Sequence, residues 1–158
     1  LVYERVSQWD QEWRNYRGGQ NQPVQIFTAA DASVEKLPWE GSKDMWPVWL
    51  GDAIFFISDR DWAGNIWRYD LAGKRLTQVT RYRDFDVKTL AAGGGVLVYE
   101  QAGYLHLLDP ASGQDRQLVI NVRGELPWVA PRWLDASKSA TAASLSPTGV
   151  RTLIEARG

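Results

Sequence analysis

Residues Pro47 to Thr80 read Pro-Val-Trp, Leu-Gly-Asp, Ala-Ile-Phe-Phe-Ile-Ser, Asp-Arg-Asp-Trp-Ala-Gly, Asn-Ile-Trp-Arg-Tyr-Asp, Leu-Ala-Gly-Lys, Arg-Leu-Thr-Gln-Val-Thr. Three apolar or alternating runs rich in Ile, Phe, Trp, Val and Thr are separated by Gly/Asp turns, with a short Pro-Val-Trp run before them. That is the composition of four short antiparallel strands. The pattern recurs. Ile54 and Val96 open the two clearest strands and stand 42 residues apart; Pro131-Arg132-Trp133 follows Pro47-Val48-Trp49 by 84, two such steps. Four strands repeating about every 40 residues are the signature of a β-propeller blade. The expected class is therefore all-β, built of four-stranded antiparallel blades.

The chain has 158 residues, about three blades' worth, and a closed propeller needs at least about four blades. It opens on Leu1-Val2-Tyr3-Glu4, which reads as an established strand without an initiator Met, and stops at Ile154-Glu155-Ala156-Arg157-Gly158, within or just after another. Both ends are expected to continue into something larger. A net charge of −1 argues against a general nucleic-acid binder, which needs a basic stripe to displace counterions. No apolar run approaches the roughly 18 residues of a membrane span. Without cysteine, disulfide scaffolds, zinc-thiolate sites and thiol nucleophiles are excluded. Nine Trp in so short a chain fit large rings filling wedge-shaped gaps between sheets.

Leu1 to Glu4 is expected to be the second strand of a blade that resumes at Pro23 to Ala29 and closes with Ser33 to Leu37. Between them lies Ser7 to Gly19. Ser7 with Asp10 three residues on resembles a capping box. Trp9, Trp13 and Tyr16 recur at helical spacing, and Gly18-Gly19 would end the helix. A short inserted amphipathic helix is thus expected near residues 8–17. Its aromatic stripe either covers the propeller's own rim or docks a neighbouring domain or subunit; Trp9, Trp13, Tyr16 and Arg17 are the docking candidates. Asp44 to Thr80 is one complete blade. Asp86 to Ala91, Gly95 to Glu100, Tyr104 to Asp109 and Asp115 to Ile120 make the next. An exit segment ends in a short Pro131-Arg132-Trp133 strand, Leu134 to Thr141 reads as a linker, and Val150 to Ala156 as a further strand. The domains are accordingly drawn as 1–135 and 136–158.

No catalytic constellation is visible. His106, the one histidine, alternates onto the face of Tyr104 and Leu108. A general base needs a nucleophile and an orienting carboxylate, and no Gly-x-Ser-x-Gly elbow accompanies it, so a packed strand histidine is expected. Asp59-Arg60-Asp61-Trp62-Ala63-Gly64-Asn65 has the look of a calcium loop, but Ala63 occupies a ligand position. Instead Asp59 and Asp61 are expected to hold turn amides, with Gly64-Asn65 supplying positive φ. Gly93-Gly94-Gly95 leads into a strand rather than a helix N-terminus, which makes it a tight turn and not a phosphate cradle. No cofactor and no metal are expected.

Phe56-Ile57-Ser58-Asp59-Arg60, Asn65-Ile66-Trp67-Arg68-Tyr69-Asp70-Leu71 and Leu76-Thr77-Gln78-Val79-Thr80 resemble the TolB-like blade repeat. Trp13-Arg14-Asn15-Tyr16-Arg17-Gly18-Gly19, Pro47-Val48-Trp49, Val98-Tyr99-Glu100-x-x-Gly103, Pro131-Arg132-Trp133 and Leu145-Ser146-Pro147-Thr148-Gly149-x-Arg151 with Glu155-Ala156-Arg157-Gly158 resemble, in order, the tricorn-type proteases. That resemblance implies a large oligomeric serine peptidase with a six-bladed propeller, a seven-bladed one, a PDZ domain and a C-terminal catalytic core. It places the catalytic residues beyond Gly158 and none within the chain. Residues 1–135 would be the later blades of the first propeller, and 136–158 a linker and the first strands of the second. The implied role is to shape peptide access or exit. The implied partners are the remaining blades and catalytic domains of the parent, or a second copy closing the ring, and peptides. The expected setting is cytoplasmic, with periplasmic or secreted as the alternative, and the assembly is expected to be homo-oligomeric. The competing readings are a TolB-like interaction propeller without enzymatic activity and a propeller-capped hydrolase of the prolyl oligopeptidase type. Alternatively, Ala142 to Ala156 could fold back to complete the blade opened by Leu1 to Glu4.

Overall fold

In the computed structural model, which describes residues 1–5, 14–133, 135 and 137–156, the stretch around Pro47 to Thr80 forms one four-stranded antiparallel sheet. Its strands are β4 (Asp44–Leu50), β5 (Ala53–Ser58), β6 (Asn65–Asp70) and β7 (Arg75–Gln78), hydrogen-bonded in that order. A second sheet of the same order follows: β8 (Val87–Gly93), β9 (Val96–Gln101), β10 (Tyr104–Leu108) and β11 (Asp115–Gln117). Before them β1 (Val2–Tyr3), β2 (Gln25–Thr28) and β3 (Ser33–Lys36) form a three-stranded sheet, in the second, third and fourth places expected from the sequence. These three sheets belong to one compact unit, Leu1–Ile120. The second unit, Asn121–Gly158, contains the antiparallel pair β12 (Ala140–Leu145) and β13 (Thr152–Ala156). Within this unit β12 and β13 pair with each other.

The apolar run of β5 explains why blades stack. Ile54 and Phe56 point to one side of the sheet, Phe55 and Ile57 to the other, and all four are buried. The first pair joins Val24, Ile26, Leu37 and Tyr69 in a cluster shared with the preceding sheet. The second pair joins Met45, Ile66, Val87, Leu90, Leu97, Tyr99 and Leu108 in a cluster shared with the following one. A strand buried on both faces cannot alternate in polarity, and each such side chain contributes about 1.5–3 kcal/mol by leaving water. Contacts between sheets run through β1, β4, β5 and β8, whereas β7 and β11 make none of comparable extent among the described residues. The sheets therefore converge at their first strands and splay at their last, the radial geometry of a propeller.

The two complete sheets share a bulge, between Met45 and Val48 in β4 and between Val87 and Leu90 in β8. Met45 and Val87 are equivalent at a step of 42 residues, but their partners Ile57 and Gln101 stand 44 apart, because the later hairpin is one residue pair longer. That hairpin closes on Gly94 and Gly95, whose φ values of +59° and +84° give the tight turn expected of the glycine run.

Three expectations need correction. No helix is present among the described residues. Of the span 8–17, residues 8–13 lie outside them, Arg14 and Asn15 form a turn, and Tyr16 and Arg17 are non-helical. The reason is local: Asn15 has φ +57°, which a right-handed helix does not admit, and its amide donates to the Asp59 carboxylate instead of a helical carbonyl. Gly18 serves packing, since a Cβ there would stand 1.9–2.6 Å from atoms of the Tyr16 ring. Pro131-Arg132-Trp133 is not a strand. Pro47-Val48-Trp49 lies within β4 despite its proline, so what Pro131-Arg132-Trp133 lacks is a neighbouring strand, among the described residues, to satisfy its backbone.

Candidate functional site

Up-and-down connectivity sorts the connections of the first unit by end. The turns at 29–32, 51–52, 71–74, 94–95 and 109–114 lie at one end. The insertion before β2 and the connections 37–43, 59–64, 79–86 and 102–103 lie at the other. The second end carries the ion pairs, the clefts and the exposed aromatic rings, and it is the candidate site.

Its hub is Asp59, buried just beyond β5. One carboxylate oxygen accepts the Lys43 amide at 2.8 Å and the other the Asn15 amide at 2.9 Å, while the Arg17 guanidinium donates to both at 2.9–3.0 Å. One carboxylate thereby ties the insertion and the β3–β4 connection to the β5–β6 loop. Arg14 makes the next tie, reaching the Asp86 carboxylate at 2.8 Å and the Asp84 carbonyl at 3.1 Å on the β7–β8 connection. A cavity of about 20 Å³ lies among Arg14, Lys43, Asp59 and Asp86. A wider cleft of about 380 Å³ opens beside Phe85, Lys88, Glu100 and Ala102.

On the other face of the same loop, Asp44 accepts from Ser42, Ser58 and Arg60, the last at 2.7 Å. Burial raises the Asp44 pKa, and Arg60 and the two serines act against that shift. Arg60 also lies over the Phe56 and Trp67 rings, 5.3 and 5.1 Å from their centroids. Asn65 uses its whole amide to hold the next connection. Its oxygen accepts from Thr80 and the Tyr82 amide, and its nitrogen donates to the Ala63 and Tyr82 carbonyls.

His106 faces a different group. Its Nδ1 is 3.5 Å from the Asp115 carboxylate, and its ring stacks on Tyr99 with centroids 5.0 Å apart. Asp115 already accepts the hydroxyls of Tyr99 and Tyr82. Burial, then hydrogen bonding to Asp115, pushes the Tyr99 phenol far up, and burial raises Tyr82 as well. Both remain protonated at neutral pH, so the cluster presents an orienting carboxylate and a base with no activated nucleophile beside them. It joins β9, β10, β11 and the β7–β8 connection by side chains.

Tyr16 and Arg17, two of the docking candidates, belong to the insertion's own clamp; Trp9 and Trp13 lie outside the described residues. Asp59 does hold amides, though from distant segments. Asp61 instead takes the Arg83 guanidinium at 3.2 Å, and the positive φ of the loop falls on Trp62 rather than on Gly64 or Asn65. Lys43, Asp44 and Asp86 were not singled out from the sequence. The available signal was alternation: in Ser58-Asp59-Arg60 the outer two residues serve Asp44 and the middle one serves the insertion.

Comparison with known proteins agrees with this geometry. The model of the tricorn protease N-terminal beta propeller domain matches residues 1–114. A tricorn protease homolog of Saccharolobus solfataricus is 26% identical over 135 residues, which are 85% of this chain and 13% of that protein. Tricorn protease homolog 1 of Streptomyces coelicolor is 30% identical over 148 residues, 88% of this chain and 14% of that protein. The crystal structure of the tricorn protease superposes with a TM-score of 0.66 at 26% identity, over 84% of this chain and 13% of that one. The chain thus spans about an eighth of the length of these relatives. Radial sheets, an insertion clamped across their loop end and a family match over most of their length lead to one assignment: the chain belongs to the N-terminal β-propeller family of the tricorn proteases.

Proposed function

We propose that the chain is a non-catalytic propeller segment of a serine peptidase and shapes the access or exit of peptides at a catalytic core outside it. The observation that carries the reading is the clamp at the loop end. Asp59 and Asp86 hold the insertion across two neighbouring sheets whose first strands converge, which suits a wall and rim. In this reading residues 1–135 are later blades of a six-bladed ring and 136–158 lead into a following propeller. The partners are the remaining blades and catalytic domains of a homo-oligomeric, cytoplasmic parent, and peptides in transit.

The test places a bulky maleimide label on a cysteine introduced at Thr89, in the bulge of the first strand β8 of its sheet, in the full-length protein freed of other reactive cysteines. Labelling is expected to slow hydrolysis of long peptides several-fold and to leave a short fluorogenic substrate unaffected. Equal rates on long peptides before and after labelling would refute the reading.

A further inference from the structure

The β3–β4 connection begins Leu37-Pro38-Trp39-Glu40-Gly41. Leu37 is buried in the cluster between the first two sheets, and Gly41 turns the chain with φ +89°. Trp39 and Glu40, between those anchors, are exposed. The indole is nevertheless fixed, because its Nε1 donates to the Ser42 carbonyl at 2.7 Å. From the second sheet β6 and β7 contribute Trp67 and Leu76, both half-buried. Together with Arg17 and Arg60 these four side chains line one cleft of about 440 Å³. That volume is in the range of ligand sites.

The charges along this cleft do not cancel. Arg60 gives its guanidinium to Ser58, the Pro38 carbonyl and Asp44. Arg17 gives its own to the Asp59 carboxylate and to the Tyr16 and Asp59 carbonyls. Further along the same gap between sheets, Lys74 pairs with Glu35 at 2.6 Å. Each of these cations has its carboxylate, and Glu40 is left over, without a hydrogen bond or ion pair among the described residues. The two lysines near it in sequence do not answer it. Lys43 is buried and lines the small cavity beside Asp86 instead. Glu35 faces the second sheet, where it meets Tyr69 and Lys74, so Lys36 points to the opposite face of β3. The chain itself shows what such rings accept: Arg60 stacks on Trp67, 5.1 Å from its centroid, whereas the Trp39 ring carries no cation among the described residues.

We propose that this cleft docks a basic protein segment through one arginine or lysine side chain, its cation on the Glu40 carboxylate beside the Trp39 ring. The methylene stem of that side chain lies along Trp39 and Leu76, which suits an amphipathic residue with an apolar body and a charged tip. The anchored indole is already ordered, so binding loses little conformational entropy there. The proposal stands independently of the peptide-passage reading.

The test titrates the full-length protein into fluorescein-labelled Gly-Ser-Leu-Arg-Leu-Ser-Gly and follows anisotropy, with the peptide checked by mass spectrometry to be intact. The same peptide with citrulline, the neutral isostere, or with Glu in place of Arg is titrated beside it. The arginine peptide is expected to bind about fivefold more tightly than the citrulline one, the difference shrinking with salt. Glu40→Gln is expected to abolish that difference while its melting temperature holds, because the carboxylate it removes is exposed and unpaired. Trp39→Ala is expected to weaken the arginine peptide about threefold to fivefold. The proposal is overturned by equal affinity for the arginine and citrulline peptides, by a preference that survives Glu40→Gln, by full affinity in Trp39→Ala, or by no binding up to about 1 mM. Tightest binding of the Glu peptide would assign the cleft to an acidic segment, and Glu40-dependent self-association in sedimentation would assign it to a second copy; either result overturns it.

Discussion

Replacing Asp59 by alanine removes the acceptor shared by the Lys43 amide, the Asn15 amide and Arg17. The three losses are unequal. The Lys43 amide is buried and the Asn15 amide partly so, and an amide stranded without a partner costs about 1–3 kcal/mol, so the two together cost about 2–5 kcal/mol. Arg17 is 41% exposed at its side chain, so its ion pair is solvent-screened and contributes about 1 kcal/mol or less. Asp59→Ala should therefore destabilise the protein several times more than Arg17→Ala. Asp59→Asn, which keeps one acceptor oxygen, should fall between. Urea denaturation of the three variants gives the ordering, and amide hydrogen exchange at Lys43 and Asn15 gives the mechanism, with protection lost in Asp59→Ala and retained in Arg17→Ala. If the alanine variant at 59 were no less stable than that at 17, the hub would be the ion pair and the amide capture would carry nothing.

Two further predictions concern ionisation. The raised pKa of buried Asp44 means that the folded protein holds that proton more tightly than the unfolded chain does. The associated stability is present below the ordinary value of 3.8 and is lost as pH rises through the raised one. Melting temperatures of wild type and Asp44→Asn across this range should show the wild type losing ground to the variant as pH rises, and a constant difference would disprove it. Tyr99 is expected to stay protonated until alkaline unfolding. Tyr99→Phe should leave the phenolate absorbance gained near pH 10 unchanged, while costing about 1–2 kcal/mol by removing a donor to Asp115. A smaller absorbance in the variant would count against the buried phenol.

The blades were legible because their signals are local. Ala53 to Ser58 is apolar at every position but its last, which demands burial on both faces and hence a sheet sandwiched between sheets. Glycines 94 and 95 demand a tight hairpin wherever the chain places them. The end of the insertion, Arg14 to Arg17, was misread for the same reason. Trp9, Trp13 and Tyr16 keep helical spacing, but the Asn15 amide and the Arg17 side chain bind Asp59, which lies 44 and 42 residues further along the chain. A pairing across that separation leaves no periodic trace, and it overrides a helical preference worth only tenths of a kcal/mol per residue. Tertiary structure likewise decided that Pro131-Arg132-Trp133 stays unpaired although its equivalent at 47–49 lies within β4, since an identical pattern becomes a strand only where a neighbour accepts its hydrogen bonds. The strained φ at Trp62 belongs to the same class. Composition marks 59–65 as a turn, but Asp59, Arg83 and Asp86, reaching in from three directions, determine which of its residues bears the strain.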